Sequence, residues 1–220
     1  MEWPLLASLS DAERRQVLAS ARLRHFGRGE VVFHEGDPGD SLHLVSAGRL
    51  AVRSSTPNGD AVTLNVLSPG SFFGELALMR QGAPHQRTAT VIALEATETL
   101  SVSASSFHRL CDTHPRVEQL LATLLAKRVE ELSERLLEAL FVGLDRRVFR
   151  RLVELHDIYA TDDGVATIPL TQEHLADLVG GTRPSVNQVL QKLAAQHVVA
   201  LGRGRIDVLD RTTLQRRAGL

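Results

Sequence analysis

Between residues 23 and 113 the apolar positions fall in short runs rich in branched side chains: Val31-Val32-Phe33, Leu42 to Val45, Leu50 to Val52, Val62 to Val66, Thr90 to Leu94 and Thr97 to Val102. Glycine- or proline-bearing turns punctuate them at Gly36 to Gly39, Gly48, Pro57 to Gly59, Pro69-Gly70 and Gly82 to Pro84. Many short strands with this turn chemistry predict an all-β barrel or roll. A short helix, Asp11 to Arg22, with Leu18 and Leu23 among polar residues, precedes them.

The period then changes. From about Pro115 to Leu144, with no further Gly or Pro until Gly143, Ala122, Leu125, Val129, Leu132, Leu136 and Ala139 recur at alternating spacings of three and four. That spacing is the seam of a coiled coil. Leu121, Leu124, Leu137, Leu140 and Phe141 form a second stripe beside it. Two adjacent apolar faces imply two partners, and the expectation is one stripe on the chain's own β domain and the other on a second copy. One wide face buried within a monomer is the alternative.

From about Asp145 short helices alternate with turns. Arg147 to Ile158 is helical in pattern, followed by the polar turn Thr161 to Gly164 and a strand at Val165 to Ile168. Next come a helix of Thr171 to Val179, the turn Gly180-Gly181, and a helix from Thr182 to about Gln196. Thr171 and Thr182 stand as N-caps whose side-chain oxygens take orphan amides of the first turn. Leu175 and Leu178, with Val186, Val189, Leu190 and Leu193, supply inward faces, so the pair reads as a helix-turn-helix. Val198 to Leu201 and Arg205 to Leu209 around Gly202-Arg203-Gly204 make a hairpin with a basic tip, hence a winged variant. The predicted fold class is α+β in three parts: a jelly-roll-like β roll over 1–114, a long helix over 115–144, and a winged helix-turn-helix domain over 145–220.

Composition narrows the classes. With 220 residues, 43% of them hydrophobic, a sizeable core can form. The longest apolar run, Leu120 to Ala126, is far too short to span a membrane. Glu2 and the lack of a basic lead-in argue against a secretory signal, so the expected location is the cytoplasm. A single cysteine, Cys111, excludes an internal disulfide and a four-cysteine cluster; it reads as a small buried side chain. The net charge of −1 hides an asymmetry: residues 146–220 hold eleven Lys/Arg against eight Asp/Glu, and residues 1–145 hold fourteen against eighteen. Nucleic-acid contact is therefore expected at the C-terminal end.

Two constellations carry chemistry. The first is Gly70-Ser71-Phe72-Phe73-Gly74-Glu75-Leu76-Ala77-Leu78-Met79, followed by Arg87-Thr88-Ala89-Thr90. Gly74 permits close backbone approach, and amides at a helix start attract an anion. Arg87 adds a planar donor fork for phosphate oxygens and Thr88 a hydroxyl. Glu75 can accept hydrogen bonds from a ribose hydroxyl. Sugar plus one phosphate inside a β roll describes a cyclic nucleotide. The second is Thr182-Arg183-Pro184-Ser185-Val186-Asn187-Gln188, where the N-terminal residues of a recognition helix would enter the major groove. Arg183 can bind guanine O6 and N7, and Asn187 or Gln188 can pair with adenine or reach phosphate. Pro184 is tolerated in a first helical turn.

On these residues the chain resembles the cyclic-AMP receptor protein/FNR family of bacterial transcription regulators over essentially its whole length. The resemblance implies that Gly74, Glu75, Leu76, Ala77, Arg87 and Thr88 form a phosphate–ribose cassette for cyclic AMP, with cyclic GMP not excluded. It places Leu132 and Ser133 where the cyclic-AMP receptor has two adjacent hydroxyl residues at adenine; Ser133 keeps a hydroxyl and Leu132 does not. The loop Met79 to Gln86 is about two residues longer than in that receptor. Pro184 replaces an acidic residue that reads the operator, and Gln188 stands where that receptor has arginine. The docking mode and Arg183 therefore carry over, and the full base code does not. Thr171, Thr182, Ser185, Arg203 and Arg205 complete the DNA-facing set. The implied partners are double-stranded DNA bearing an inverted repeat, a second copy of the chain, and RNA polymerase. The oxygen-sensing iron–sulfur branch needs cysteines this chain lacks; haem ligation through His34, His43, His85 or Cys111 is disfavoured, since single histidines among strands are usually surface or hydrogen-bonded residues. The alternatives are a relative that binds DNA without cyclic AMP or with another effector, and a cyclic-nucleotide module regulating an enzyme or channel. Against the second, the residues after the long helix already read as a winged helix. No nucleophile–His–carboxylate grouping or metal spacing points to an enzyme.

Overall fold

The computed structural model describes residues 3–55, 61–79, 86–160 and 166–219. The predicted turns at Pro57 to Gly59, Gly82 to Pro84 and Thr161 to Gly164, together with Val165, His85 and most of the loop before Gln86, lie outside the described residues. The chain forms two compact units, residues 1–130 and 131–220.

The first unit opens with a 3-10 turn, Pro4–Leu6, and helix α1 (Asp11–Ser20). Ser10 and Glu13 close a reciprocal capping box at the start of α1. Strands β1 (Arg22–Phe26), β2 (Val31–Phe33), β3 (Ser41–Ala47), β4 (Leu50–Ser55), β5 (Ala61–Leu67) and β6 (Phe72–Phe73) follow. After the short helix α2 (Glu75–Met79) come β7 (Thr90–Ala93), β8 (Thr97–Ser103), and helices α3 (Ala104–Thr113) and α4 (Pro115–Phe141). Two antiparallel four-stranded sheets result, ordered β1-β8-β3-β6 and β2-β7-β4-β5. This is the β roll the pattern predicts.

The alternation along β3 separates two cores. Val45 joins Leu50, Leu67, Phe73 and Val91, residues of both sheets, in the interior of the roll. Leu42 and Leu44 point the other way, into a cluster with Trp3, Leu5, Leu6, Phe107, Leu110, Cys111, Val117 and Leu121. Cys111 is buried, as expected.

Three expectations need correction. Residues 104–113 are helical rather than extended, because Ser103 caps Ser106 N and Phe107, Leu110 and Cys111 repeat at helical spacing on the core. The first helix stops at Ser20, and Leu23 lies exposed on β1. The second stripe of α4 also does not stay on one partner. Leu121 is buried and Leu124 packs against the roll's outer cluster, but Leu137, Leu140 and Phe141 are exposed, Phe141 by 80%. Leu125, assigned to the seam, packs on the roll as well.

The second unit contains the end of α4 and then α5 (Leu144–Tyr159), β9 (Ala166–Ile168), α6 (Gln172–Val179), α7 (Arg183–Ala195), β10 (Val199–Gly202), β11 (Arg205–Val208) and α8 (Arg211–Ala218). Its small sheet runs β10-β11-β9. Val148, Leu152, Leu155, Ile168, Leu175, Val186, Leu190, Ile206 and Leu214 are fully or nearly fully buried. The pattern does not reveal α8: it is polar on most sides and is held by the Asp210 cap on Thr213 N and by Leu214 and Ala218.

Candidate functional site

Gly74 sits between β6 and α2 with φ of 87°, a backbone setting that favours glycine. A Cβ there would come within 2.6 Å of Arg87 Nη1 and 2.9 Å of the Ser41 carbonyl oxygen. The glycine therefore lets the arginine close onto the backbone. Arg87 is only 4% exposed. Its Nη1 donates to the carbonyls of Ser41 (2.7 Å) and Gly74 (3.2 Å), and its Nη2 donates to Ser41 Oγ (3.0 Å). Asp40 Oδ1 lies 3.5 Å from Nη2, and the guanidinium stands 4.1 Å over the Phe33 ring. Burial pulls the Arg87 pKa down, and Asp40, Asp37 and Glu75 oppose that shift.

Glu75 opens α2 and is 2% exposed. Burial raises its pKa above the usual carboxylate range, against the pull of Arg128 and Arg87. Arg128 on α4 donates from Nη1 to Glu75 Oε1 (2.5 Å) and from Nη2 to the Phe72 carbonyl (2.7 Å), with its guanidinium 4.5 Å over the Phe72 ring. Glu75 is buried and Arg128 half-buried, so removing Arg128 would strand the Glu75 carboxylate. Arg128 was not legible as a site residue; its one signal is its position one helical turn before Leu132.

The structure thus gathers Gly74, Glu75 and Arg87, with Ala77 buried behind them. Leu76 and Thr88 are exposed. Leu132 and Ser133 follow Arg128 on α4, beyond the first unit, and both are exposed. Asp40, Ser41 and Phe33, which fix Arg87, were also missed, because nothing in sequence ties residues 33–41 to residue 87.

His43 lies beside this cluster, 6% exposed, stacked on Phe73 at 5.0 Å and hydrogen-bonded to Thr99 Oγ1 at 3.0 Å. Burial first, then Arg87 and Arg24, bring its pKa down from 6.5 to about 4. The unfolded chain thus takes up this proton before the folded one does. The contribution of a neutral His43 to stability is whole above pH 6.5 and is lost as the pH drops toward about 4, by up to about 3 kcal/mol. Urea midpoints measured between pH 7 and 4 should show this slope, and His43→Gln should flatten it.

In the second unit Thr171 Oγ1 accepts from His174 N (3.1 Å) and Thr182 Oγ1 from Ser185 N (3.4 Å), so both threonines cap as predicted. Gly180 takes the left-handed conformation (φ 61°) that ends α6. A Cβ on Gly181 would lie 2.8 Å from Leu144 Cδ1, the tip of a side chain that can turn aside, so the turn's demand for glycine falls on Gly180. Pro184 sits in the first turn of α7. Thr182, Arg183, Pro184 and Gln188 are exposed, while Ser185 and Asn187 are half-buried. Arg203 and Arg205 are exposed around the β10–β11 turn. Arg205 Nε is paired with Asp207 Oδ2 at 3.3 Å.

Among the described residues no helix is long and apolar enough to cross a membrane, and no group of His, Cys, Asp and Glu is placed to hold a metal ion. A roll with a buried arginine and glutamate at its glycine turn, joined in one chain to a winged helix-turn-helix, defines a ligand-sensing transcription regulator. The cyclic nucleotide-binding domain family matches residues 23–114, and the Crp-like helix-turn-helix domain family matches residues 146–217. The chain is 32% identical over 213 residues to the cyclic AMP receptor protein of Thermus thermophilus, covering 96% of this chain and 95% of that one. It is 30% identical over 196 residues to a CRP-like cAMP-activated global transcriptional regulator of Mycobacterium tuberculosis, covering 88% and 86%. Its fold is also that of the c-di-GMP responsive global regulator CLP of Xanthomonas campestris: TM-score 0.77, 21% identity, 90% of this chain and 99% of that one. The chain belongs to the cyclic-AMP receptor protein/FNR family of transcription regulators.

Proposed function

We propose that this protein is a homodimeric regulator whose affinity for an inverted-repeat operator is set by cyclic AMP. The observation that carries this reading is the buried Arg87 held against Gly74 beside the buried Glu75, in a chain with a helix-turn-helix. The cyclic phosphate is a fitting guest for Arg87, whose present partners are mostly neutral oxygens; a phosphate oxygen offers a full charge in their place. The ribose hydroxyl would join Glu75 and Arg128. Because Arg128 belongs to α4, a ligand at Glu75 acts directly on the helix that carries Val129, Leu132 and Leu136. These side chains are exposed in the single chain and form the seam for a second copy. Ser133 offers a hydroxyl to the base. Calorimetric titration with cyclic AMP and cyclic GMP tests the effector: saturable binding, tighter for cyclic AMP, is expected, and no binding of either would refute the reading. A second reading, another effector, is favoured by Leu132, which cannot hydrogen-bond a base, and by the c-di-GMP response of the Xanthomonas relative.

On the DNA side, Arg183 is exposed at the start of α7 and makes no ion pair with any described residue. We assign it to a guanine edge and Arg203 to phosphate. The two should fail differently. Arg183→Ala should lose about 1–3 kcal/mol per half-site at the preferred guanine and relax specificity there. Arg203→Ala should weaken all sequences alike and reduce the salt slope by about one unit per contact. Arg205, tied to Asp207, should contribute less than Arg203. Competition binding on altered operators at several salt concentrations separates these outcomes. Equal weakening on every sequence by Arg183→Ala would make it a backbone anchor.

A further inference from the structure

The roll contains a second concavity, distinct in its lining from the Gly74–Ala77 turn. It has a volume of about 640 Å³ and is lined by strands β1, β2, β3 and β8, and it reaches Arg87 from the β1 side. Neither Gly74, Glu75, Leu76, Ala77 nor Thr88 contributes to it. The size is that of a small-molecule site, which runs from roughly 300 to 1,000 Å³.

Its chemistry is basic. Arg22 and Arg24, two residues apart on β1, pair with Ser101 and Thr99 of β8 and line the same cavity, as the period of two requires. Both arginines are exposed, and neither makes a hydrogen bond or ion pair with any described residue. The two carboxylates in the lining act on the buried Arg87: Asp40 Oδ1 lies 3.5 Å from its Nη2, and Asp40 and Asp37 both oppose the fall in its pKa; neither makes an ion pair with Arg22 or Arg24. Deeper in, buried Arg87 has an Nε without a partner among the described residues. The positive field converges on His43, whose imidazole is held neutral by burial with Arg87 and Arg24. Ser101 and Ser103 add hydroxyl donors, and Phe26 and Phe33 give the cavity an apolar wall.

We propose that this β1-side cavity is a second ligand site, taking a small phosphorylated organic molecule whose phosphate lies on Arg22 and Arg24 and whose body rests on the phenylalanine wall. Phosphate fits better than carboxylate because two guanidinium forks and two hydroxyls offer more donors than two carboxylate oxygens accept. Arg87 borders both sites. An anion in this cavity draws on the same guanidinium that the cyclic phosphate requires, so the two ligands oppose one another by linkage. That coupling rests on the cyclic-nucleotide reading; the cavity's own affinity does not.

The test uses the full-length protein and phenyl phosphate as probe, titrated calorimetrically at fixed ionic strength, with cyclic AMP titrated in parallel. Phenyl phosphate should bind saturably to the wild type. The double variant Arg22→Gln/Arg24→Gln should lose at least roughly tenfold in that affinity while keeping wild-type affinity for cyclic AMP. Both substitutions are on exposed side chains, and an unchanged thermal unfolding curve confirms the fold. Saturating phenyl phosphate should weaken cyclic AMP binding in the wild type and not in the double variant. No saturable binding of phenyl phosphate, or equal binding by the double variant, overturns the proposal. Phenyl phosphate binding that depends on Arg22 and Arg24 in a protein that ignores cyclic AMP would keep this site and remove the nucleotide reading.

Discussion

Val129→Asp should convert the proposed dimer to a folded monomer in sedimentation equilibrium. In the single chain Val129 is 62% exposed, so a carboxylate there meets water and costs the monomer's fold little. Across a twofold seam the same substitution brings two carboxylates together at the axis. The neighbouring seam positions Leu132 and Leu136 are apolar, and two like charges would be desolvated together. An uncompensated buried charge costs about 3–5 kcal/mol, enough to raise the dissociation constant roughly 150-fold to several-thousand-fold. Circular dichroism should remain that of the wild type. An intact dimer would move the interface away from this stripe, with the exposed Leu137, Leu140 and Phe141 next to be tested by the same substitution.

Arg87→Ala should lower cyclic AMP affinity by roughly 10- to 150-fold, the equivalent of about 1.5–3 kcal/mol for a charge-assisted contact. The variant strips three hydrogen bonds from the β3 and Gly74 region and leaves Ser41 and Gly74 carbonyls without their donor. Some loss of stability is therefore expected as well. Arg87→Lys separates the two effects: it keeps the charge and loses the planar fork that spans Ser41 and Gly74. If both variants remain folded and bind cyclic AMP as the wild type does, Arg87 is a structural strut between β3 and Gly74 and the phosphate site lies elsewhere.

Much of the architecture was legible because its determinants are local. Branched runs between glycine turns mark β2 to β5, β7 and β8, and the caps at Thr171 and Thr182 mark α6 and α7 to within one residue. The elements that escaped are those whose determinants are not in the pattern. Arg22–Phe26 has one buried residue and becomes β1 by pairing with β8 far along the chain. Ala104–Thr113 is short, and its helical repeat of Phe107, Leu110 and Cys111 follows directly on a strand with the same residue types. Arg211–Ala218 has almost no apolar face and is fixed by Asp210 and by packing. The same division holds for the site. Gly74, Glu75 and Arg87 were visible because glycine, carboxylate and arginine in that order have a chemical meaning. Arg128, Asp40 and Ser41 were not, because only folding brings α4 to Glu75 and β3 to Arg87.

The most direct test of the account is the dissociation constant of the purified protein for an inverted-repeat DNA selected in its presence, measured by fluorescence anisotropy at one salt concentration with and without saturating cyclic AMP. If the nucleotide at Glu75 and Arg87 sets the dimer through α4, cyclic AMP should tighten that DNA by about 1–3 kcal/mol, roughly 5- to 150-fold, and Arg87→Ala should require far more cyclic AMP to reach the same affinity. The same dissociation constant with and without cyclic AMP, in a protein that binds the DNA specifically, would contradict it.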